Sequence, residues 1–477
     1  MLGVTDRVRY GLTTRTLSLG LAVGLATAAA VAAGGGKWLL GGLVGVMVVA
    51  VTSSRPDLAI GTMIVGLPLV GNVTLLAIPG PDVTMGRLLI LWSLAVVASA
   101  AVLQRRRGLR ATGEDATDRL LSSTLPAWVA VLLALTLLAG IRGPTLIAGL
   151  QGWLDDYLLP FACLLIACTY RWSRRETDRI VTIYLACACV WSALAAYEFV
   201  TKRSLFTATG ELPWASSGVP FGRTGGPFIN PGFLGAALGI ALVLALVWTG
   251  RRGPMRLLAV ACLCMTVMGL VATLTRASWL GAVCGMLVVL SSSKRKRAMR
   301  MLLVALGLGA CVVGLVMLFG VSYFEGRTTS QSEVFNRLVV QRAALKIIAD
   351  HPLAGVGSGN FATVSRADLQ NVGSISASYG VGVLAPHNSV LDATVSGGIA
   401  TGASLVIAIG LLAAGARRRL ISPAHHYLGG GALASVAVLT VNAMFMDMAL
   451  AAQVTTMSLA VVGILLSTAP ENEAGFQ

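Results

Sequence analysis

The sequence predicts an all-α fold: a polytopic transmembrane helical bundle of about 12–14 spans with one long extracytoplasmic loop. Three observations predict it. Apolar runs of helix length recur along all 477 residues. Charged residues make up 12% of the chain, where a soluble domain carries roughly 25%. The basic residues bunch in short loops between the apolar runs, as membrane orientation signals do.

The runs follow in order at about 17–34, 38–53, 57–73, 84–103, 125–141, 151–170, 178–199, 231–249, 255–273, 277–292, 299–320, 389–414, 424–443 and 446–468. Arg7, Arg9 and Arg15 precede the first. It reads as a retained span, with cleavage near Ala30-Val31-Ala32-Ala33 as the alternative. Alternating the fourteen runs from a cytoplasmic N-terminus places every basic loop inside. These loops are Arg105-Arg106-Arg107 with Arg110, Arg171 with Arg174-Arg175, Arg251-Arg252 with Arg256, Lys294-Arg295-Lys296-Arg297, and Arg417-Arg418-Arg419. Both termini are then cytoplasmic, in a multi-pass protein of the cytoplasmic membrane. The net charge of +16 is accounted for by these loops, so nucleic acid is not expected as a partner.

Four sections result. Residues 1–199 are N-terminal helices, and 200–320 are helices with arginine turns on the outer face. Residues 321–388 form the extracytoplasmic loop, and 389–477 are C-terminal helices with a short cytoplasmic tail. All eight cysteines lie in apolar runs. Cys187/Cys189 and Cys262/Cys264 have a metal-like spacing, but residues two apart on a helix point about 200° apart. They read as small core thiols, with no disulfide and no metal site implied.

A chain this apolar has little polar surface, so its largest polar stretch is where recognition or chemistry belongs. On the outer face lie Lys202, Arg203, Arg223, Arg276, Arg327, Arg337, Arg342 and Lys346, cations on the side that topology normally depletes. An anionic ligand there is the simplest reason for them. Gly222-Arg223-Thr224-Gly225-Gly226-Pro227 leads through Asn230-Pro231 into a span, as a tight turn. Arg223 is either a ligand group or a snorkelling anchor. Leu274-Thr275-Arg276-Ala277-Ser278 is a two-residue turn between spans, and Arg276 is equally readable as an interfacial anchor.

In the loop, residues 335–349 place Leu338, Leu345 and Ile348 at helical spacing, predicting a short surface helix ended by His351-Pro352. Gly355, Gly357 and Gly359 then let the backbone bend or approach a ligand closely. A phosphate-binding loop of the soluble type needs a preceding strand and a terminal Gly-Lys-Ser/Thr, both missing here, so nucleotide binding is excluded. Ala385-Pro386-His387-Asn388 ends the loop. His387 is either a hydrogen-bonded structural group or a proton acceptor; an imidazole titrates near pH 6.5. Asp155-Asp156, beside Trp153 and Tyr157, reads as an interfacial belt more than a metal site. Glu198 is expected to pair with Lys202, and Asp392 and Asp447 with basic groups. Arg87 is placed to assist an anionic lipid.

Arg223 to Pro231, Thr275-Arg276-Ala277, Asn336-Arg337, His351 to Phe361 and His387-Asn388, in that order and on one face, resemble the O-antigen ligase / Wzy-type polymerase superfamily. The resemblance covers roughly 220–400; the N-terminal spans match only in hydropathy. It implies a C-type glycosyltransferase-like multi-span fold. It also implies transfer of a glycan from a polyprenyl-diphosphate donor to an extracytoplasmic glycan or lipid-glycan acceptor, among membrane lipids, without cofactor or metal. Carried over by position, Arg223 and Arg337 hold the diphosphate, Arg276 is a further candidate, and His387 is catalytic. Ligase and polymerase share this donor chemistry and are not separated. A lipid-linked oligosaccharide flippase is the competing reading, and it calls for charges deep within spans. A non-catalytic scaffold would tolerate loss of His387.

Overall fold

The computed structural model describes residues 49–71, 73–76, 82–106, 120–206, 223–251, 253–292, 331–369, 385–447 and 451–470. Among them, seven helices are long and apolar enough to cross a bilayer, and four shorter apolar helices accompany them. The expected runs 17–34 and 299–320, most of 38–53, and the Lys294–Arg297 loop lie outside the described residues.

Helix α1 (Pro56–Val70) is joined to α2 (Met85–Arg106) by a hairpin of β1 (Thr74–Leu76) and β2 (Val83–Thr84). After a π-helical turn comes α3 (Leu125–Ile141). Then α4 (Leu146–Trp153) continues through a π-helical segment, Leu154–Leu158, into α5 (Leu159–Thr169). Helix α6 (Arg174–Thr201) starts at a capping box, in which the Ser173 hydroxyl and the Glu176 carboxylate satisfy each other's backbone N–H groups. The remaining elements are α7 (Pro231–Trp248), α8 (Pro254–Thr273), α9 (Arg276–Ser292), α10 (Gln331–Asp350), α11 (Ser389–Gly397), α12 (Ile399–Ile421), α13 (His426–Phe445) and α14 (Ala452–Ser467). Proline at or near the first helical position starts α1, α3, α7 and α8, where its missing N–H costs nothing.

Helix α7 is the axis of the bundle, buried on nearly every residue from Pro231 to Trp248. A helix apolar on all sides must be enclosed by others or by lipid. Its neighbours α6, α8, α9 and α13 turn their outer faces, such as Leu257, Val190 and Leu287, away from the protein.

One end of the bundle collects the basic loops. Asp178 binds Arg174 (3.2 Å) and Arg251, and the Arg174 guanidinium stacks 4.0 Å from the Tyr427 ring centre. Gln104 and Arg171 exchange hydrogen bonds, and Arg419 donates to the Thr468 carbonyl (2.9 Å). Loops that the sequence places on one side are therefore in mutual contact. Residues 223–230, the α8–α9 turn, and residues 351–361 and 385–388 lie at the opposite end.

The expected run 389–414 is broken. Gly398, at φ +85°, separates α11 from α12. The backbone groups freed by the break are taken up by the polar loop. Val356 N–H donates to Val395 O (2.8 Å), Gly357 N–H to Ser396 O (2.9 Å), and Ile399 N–H to Pro352 O (2.8 Å). A Cβ on Gly398 would fall 2.1 Å from Leu353 O, and one on Gly355 would fall 2.4 Å from Val395 O. The glycines of the His351–Phe361 segment thus approach backbone, clasping a broken helix.

The surface helix also differs from expectation. It is longer, and it buries Val340, Ala343, Ala344 and Ile347 against Phe361, Leu369 and Val395. Of the three residues that marked the helix in the sequence, Ile348 packs against this cluster, while Leu338 and Leu345 are 59% and 57% exposed. The buried face combines Val340 and Ile347 with two alanines, which contribute little to an apolar count, so the larger leucines mark the helix in the sequence instead.

Candidate functional site

The arginine turn precedes α7. Gly226 takes φ +50° and Ile229 φ +62°, winding 225–229 so tightly that a Cβ on Gly225 would meet Ile229 O at 2.0 Å. Asn230 then caps α7, its side-chain oxygen accepting from Gly232 N–H (2.8 Å). This winding delivers Arg223 to the α8–α9 turn. Its Nη2 donates to Thr275 Oγ1 (2.8 Å) and its Nε to Thr273 O (3.4 Å). Arg276, the next residue, is exposed and opens α9.

One turn into α9, Ser278 Oγ donates to Asn442 Oδ1 (3.0 Å), and it also lies 3.4 Å from Gly232 O. Both side chains are fully buried. This pair ties together the start of α7, the start of α9 and the end of α13.

The end of α13 exposes carbonyls that have no partner within the helix. Three in succession are taken: Met444 O accepts from Asn388 Nδ2 (3.2 Å), Phe445 O from Arg337 Nη1 (3.2 Å), and Met446 O from Ser389 Oγ (3.3 Å). Asn388 also caps α11, its Oδ1 accepting from Val390 and Leu391 N–H. His387, immediately before it, holds the left-handed conformation at φ +53°. Its imidazole pKa lies below the ordinary value, first because burial penalises the charged ring and second because Arg337 is near.

A continuous chain of contacts therefore brings Arg223, the Arg276 turn, Arg337 and His387 to one end of the bundle. It runs from Arg223 through Thr275, Ser278, Asn442 and the 444–446 carbonyls to Arg337 and Asn388. Asn336, paired with Arg337 in the motif, lies on α10.

Other polar groups meet at this end. Arg87 grips Asp155 through two hydrogen bonds (2.8 and 2.6 Å), so the arginine expected to assist a lipid is engaged with a carboxylate. Asp156, Asp392 and Asp447 gather within electrostatic reach of one another. An apolar cavity of about 90 Å³ starts at Asp156 and Ser389 and runs between α5, α12, α13 and α14, past Leu405, Ile409, Val436 and Leu459. Sequence reasoning missed Asn442, whose only signal is a polar residue inside an apolar helix, and it named Thr275 and Ser278 as part of the Arg276 turn without giving either a partner. It placed Glu198 with Lys202. Both carboxylate oxygens of Glu198 accept elsewhere, from Ser204 Oγ (2.8 Å) and Gly226 N–H (2.9 Å), and the Lys202 ammonium lies 4.3 Å from the Phe199 ring centre.

Fold and site together define a multi-pass helical membrane protein with arginines and a histidine joined at one face. Residues 260–406 match the family described as O-Antigen ligase. The likeness is confined to that segment, and it supports a membrane ligase or polymerase role in glycan transfer. The match takes in Arg276, Arg337 and His387, and Arg223 precedes it. No curated protein matches the chain.

Proposed function

We propose that this protein transfers a glycan from a polyprenyl-diphosphate donor to an acceptor hydroxyl on the outer face of the cytoplasmic membrane, without a metal ion. The observation that carries this reading is the joining of Arg337 and the His387-Asn388 turn on adjacent carbonyls of α13, with Arg223 linked to the same helix through Thr275, Ser278 and Asn442.

The chemistry follows from the groups. The acceptor oxygen attacks the anomeric carbon, the bond from that carbon to the diphosphate oxygen breaks, and the acceptor proton goes to His387. A neutral imidazole is required, and its lowered pKa keeps it neutral at pH 7. Negative charge grows on the departing diphosphate. Arg223, Arg337 and Arg276 supply planar guanidinium forks that match phosphate oxygens and stay charged throughout. The apolar cavity beside Ser389 suits an isoprenoid chain. The face carrying the basic loops would be cytoplasmic, by the usual distribution of arginine.

The test is transfer in proteoliposomes with a lipid-linked oligosaccharide donor, alongside a deletion strain analysed for accumulated donor. Accumulated single repeat units indicate a polymerase, and accumulated finished chains indicate a ligase. Unchanged lipid-linked glycan in the deletion strain would end the proposal.

A further inference from the structure

The last turn of α6 carries a carboxylate where two effects oppose one. Glu198 is 1% exposed, and burying an anion is costly unless it is well bonded. It also sits at a helix C-terminus, where the helix dipole disfavours negative charge. Both oxygens are engaged, one of them with the arginine turn. Oε1 accepts from Ser204 Oγ and Oε2 accepts from the backbone N–H of Gly226, three residues beyond Arg223.

That N–H belongs to the tightest part of the arginine turn. Gly226 and Ile229 are both left-handed, and a branched residue such as Ile229 holds that conformation only where its surroundings enforce it. The Phe228 ring, packed edge-on against Trp191 at 5.1 Å, pins the turn from its apolar side. Glu198 pins it from the polar side. On one flank of this wound segment is the Asn230 cap of α7; on the other is Arg223, reaching Thr275.

We infer that Glu198 is a positioning residue: without touching substrate, it fixes the turn that aims the Arg223 guanidinium at the lipid-linked diphosphate. This rests on Arg223 being a diphosphate ligand. A carboxylate accepts both hydrogen bonds. Glutamine can reproduce them, its oxygen accepting from Gly226 and its amide donating to the Ser204 hydroxyl. Alanine can make neither.

The experiment is a double-mutant cycle on full-length protein in nanodiscs, with binding of a glycan-free polyprenyl diphosphate as the readout. Glu198→Ala and Arg223→Ala are each expected to weaken binding about tenfold, and the double variant to bind no worse than Arg223→Ala alone, because coupled residues are not additive. Glu198→Gln should remain within about threefold of wild type. If Glu198→Ala is not monodisperse, the same cycle run with Glu198→Asp decides. Full additivity would make Glu198 an ordinary structural group and overturn the inference. Wild-type binding by Arg223→Ala would instead remove the diphosphate role of Arg223, and the inference with it.

Discussion

Arg337 and Asn388, 51 positions apart in the chain, donate to the adjacent carbonyls of Phe445 and Met444 at the end of α13. That shared helix end sets the distance between a guanidinium and the imidazole next to Asn388. It also explains why Arg337 helps to lower the His387 pKa.

Replacing His387 with alanine is predicted to abolish glycan transfer while sparing donor binding. The imidazole is assigned to the acceptor proton, and the diphosphate is held by arginines. Loss of a general base costs about 10²–10⁴-fold. Single-turnover transfer and donor binding, measured on the same preparation, separate the two. Full transfer by the variant would remove His387 from the chemistry.

Lysine at 223 or 337 should rescue poorly. Arg223 uses Nε and Nη2 together toward the 273–275 turn, and a lysine ammonium cannot reproduce that fork. Arg223→Lys and Arg337→Lys are each expected to lose about 10–100-fold in kcat/KM for the donor, the worth of a charge-assisted hydrogen bond of about 1.5–3 kcal/mol. A Lys variant with wild-type kinetics would show that charge alone suffices.

Gly398→Ala should destabilise the fold. The residue sits at φ +85°, and its Cβ would press on the Leu353 carbonyl, which belongs to the loop that clasps the break. The Gly398 ψ of 175° puts it in a positive-φ extended region that is essentially glycine-only, which costs another residue about 1–3 kcal/mol before any clash is counted. Thermal unfolding in detergent, compared with Gly410→Ala, checks this, because Gly410 has open space around its Cβ position. Equal midpoints for the two variants would contradict it.

The bundle was legible because hydropathy and loop charge are both written in composition: 125–141 was read residue for residue as Leu125–Ile141. The break at Gly398 was not, since a single glycine in an apolar run is ordinary, and only the carbonyls of Val395 and Ser396 meeting Val356 and Gly357 reveal its use. Arg223, Arg276, Arg337 and His387 were legible as charged or titratable groups in unexpected places. Their supports were not. Ser278, Asn442 and Thr275 act through hydrogen bonds between helices far apart in sequence, and a lone polar residue in a span has no pattern to betray its partner. Glu198 had a near cation at Lys202, and local spacing favoured the wrong partner over a backbone N–H 28 residues away.

EDTA is predicted to leave transfer largely unaffected. The diphosphate charge is assigned to guanidiniums, and Asp155, one of the two acidic residues that suggested a metal, is bound by Arg87. Strong inhibition, reversed by a particular divalent ion, would shift the chemistry to the Asp156, Asp392 and Asp447 group.

The pH dependence provides the most direct reading of His387. Burial and Arg337 both disfavour the imidazolium, so the folded-state pKa lies below 6.5. A base must be neutral to accept a proton. Activity should therefore be fully present at pH 7 and persist as the pH falls below 6.5. It should decline only as the pH passes through the lowered value. Removing the nearby positive charge should raise that value, so Arg337→Gln is expected to move the acid limb toward higher pH while also reducing donor use. A profile of kcat against pH for both proteins checks the sign. An acid limb that stays in place in Arg337→Gln would show that the guanidinium is electrostatically remote from the ring, and that burial alone sets its titration.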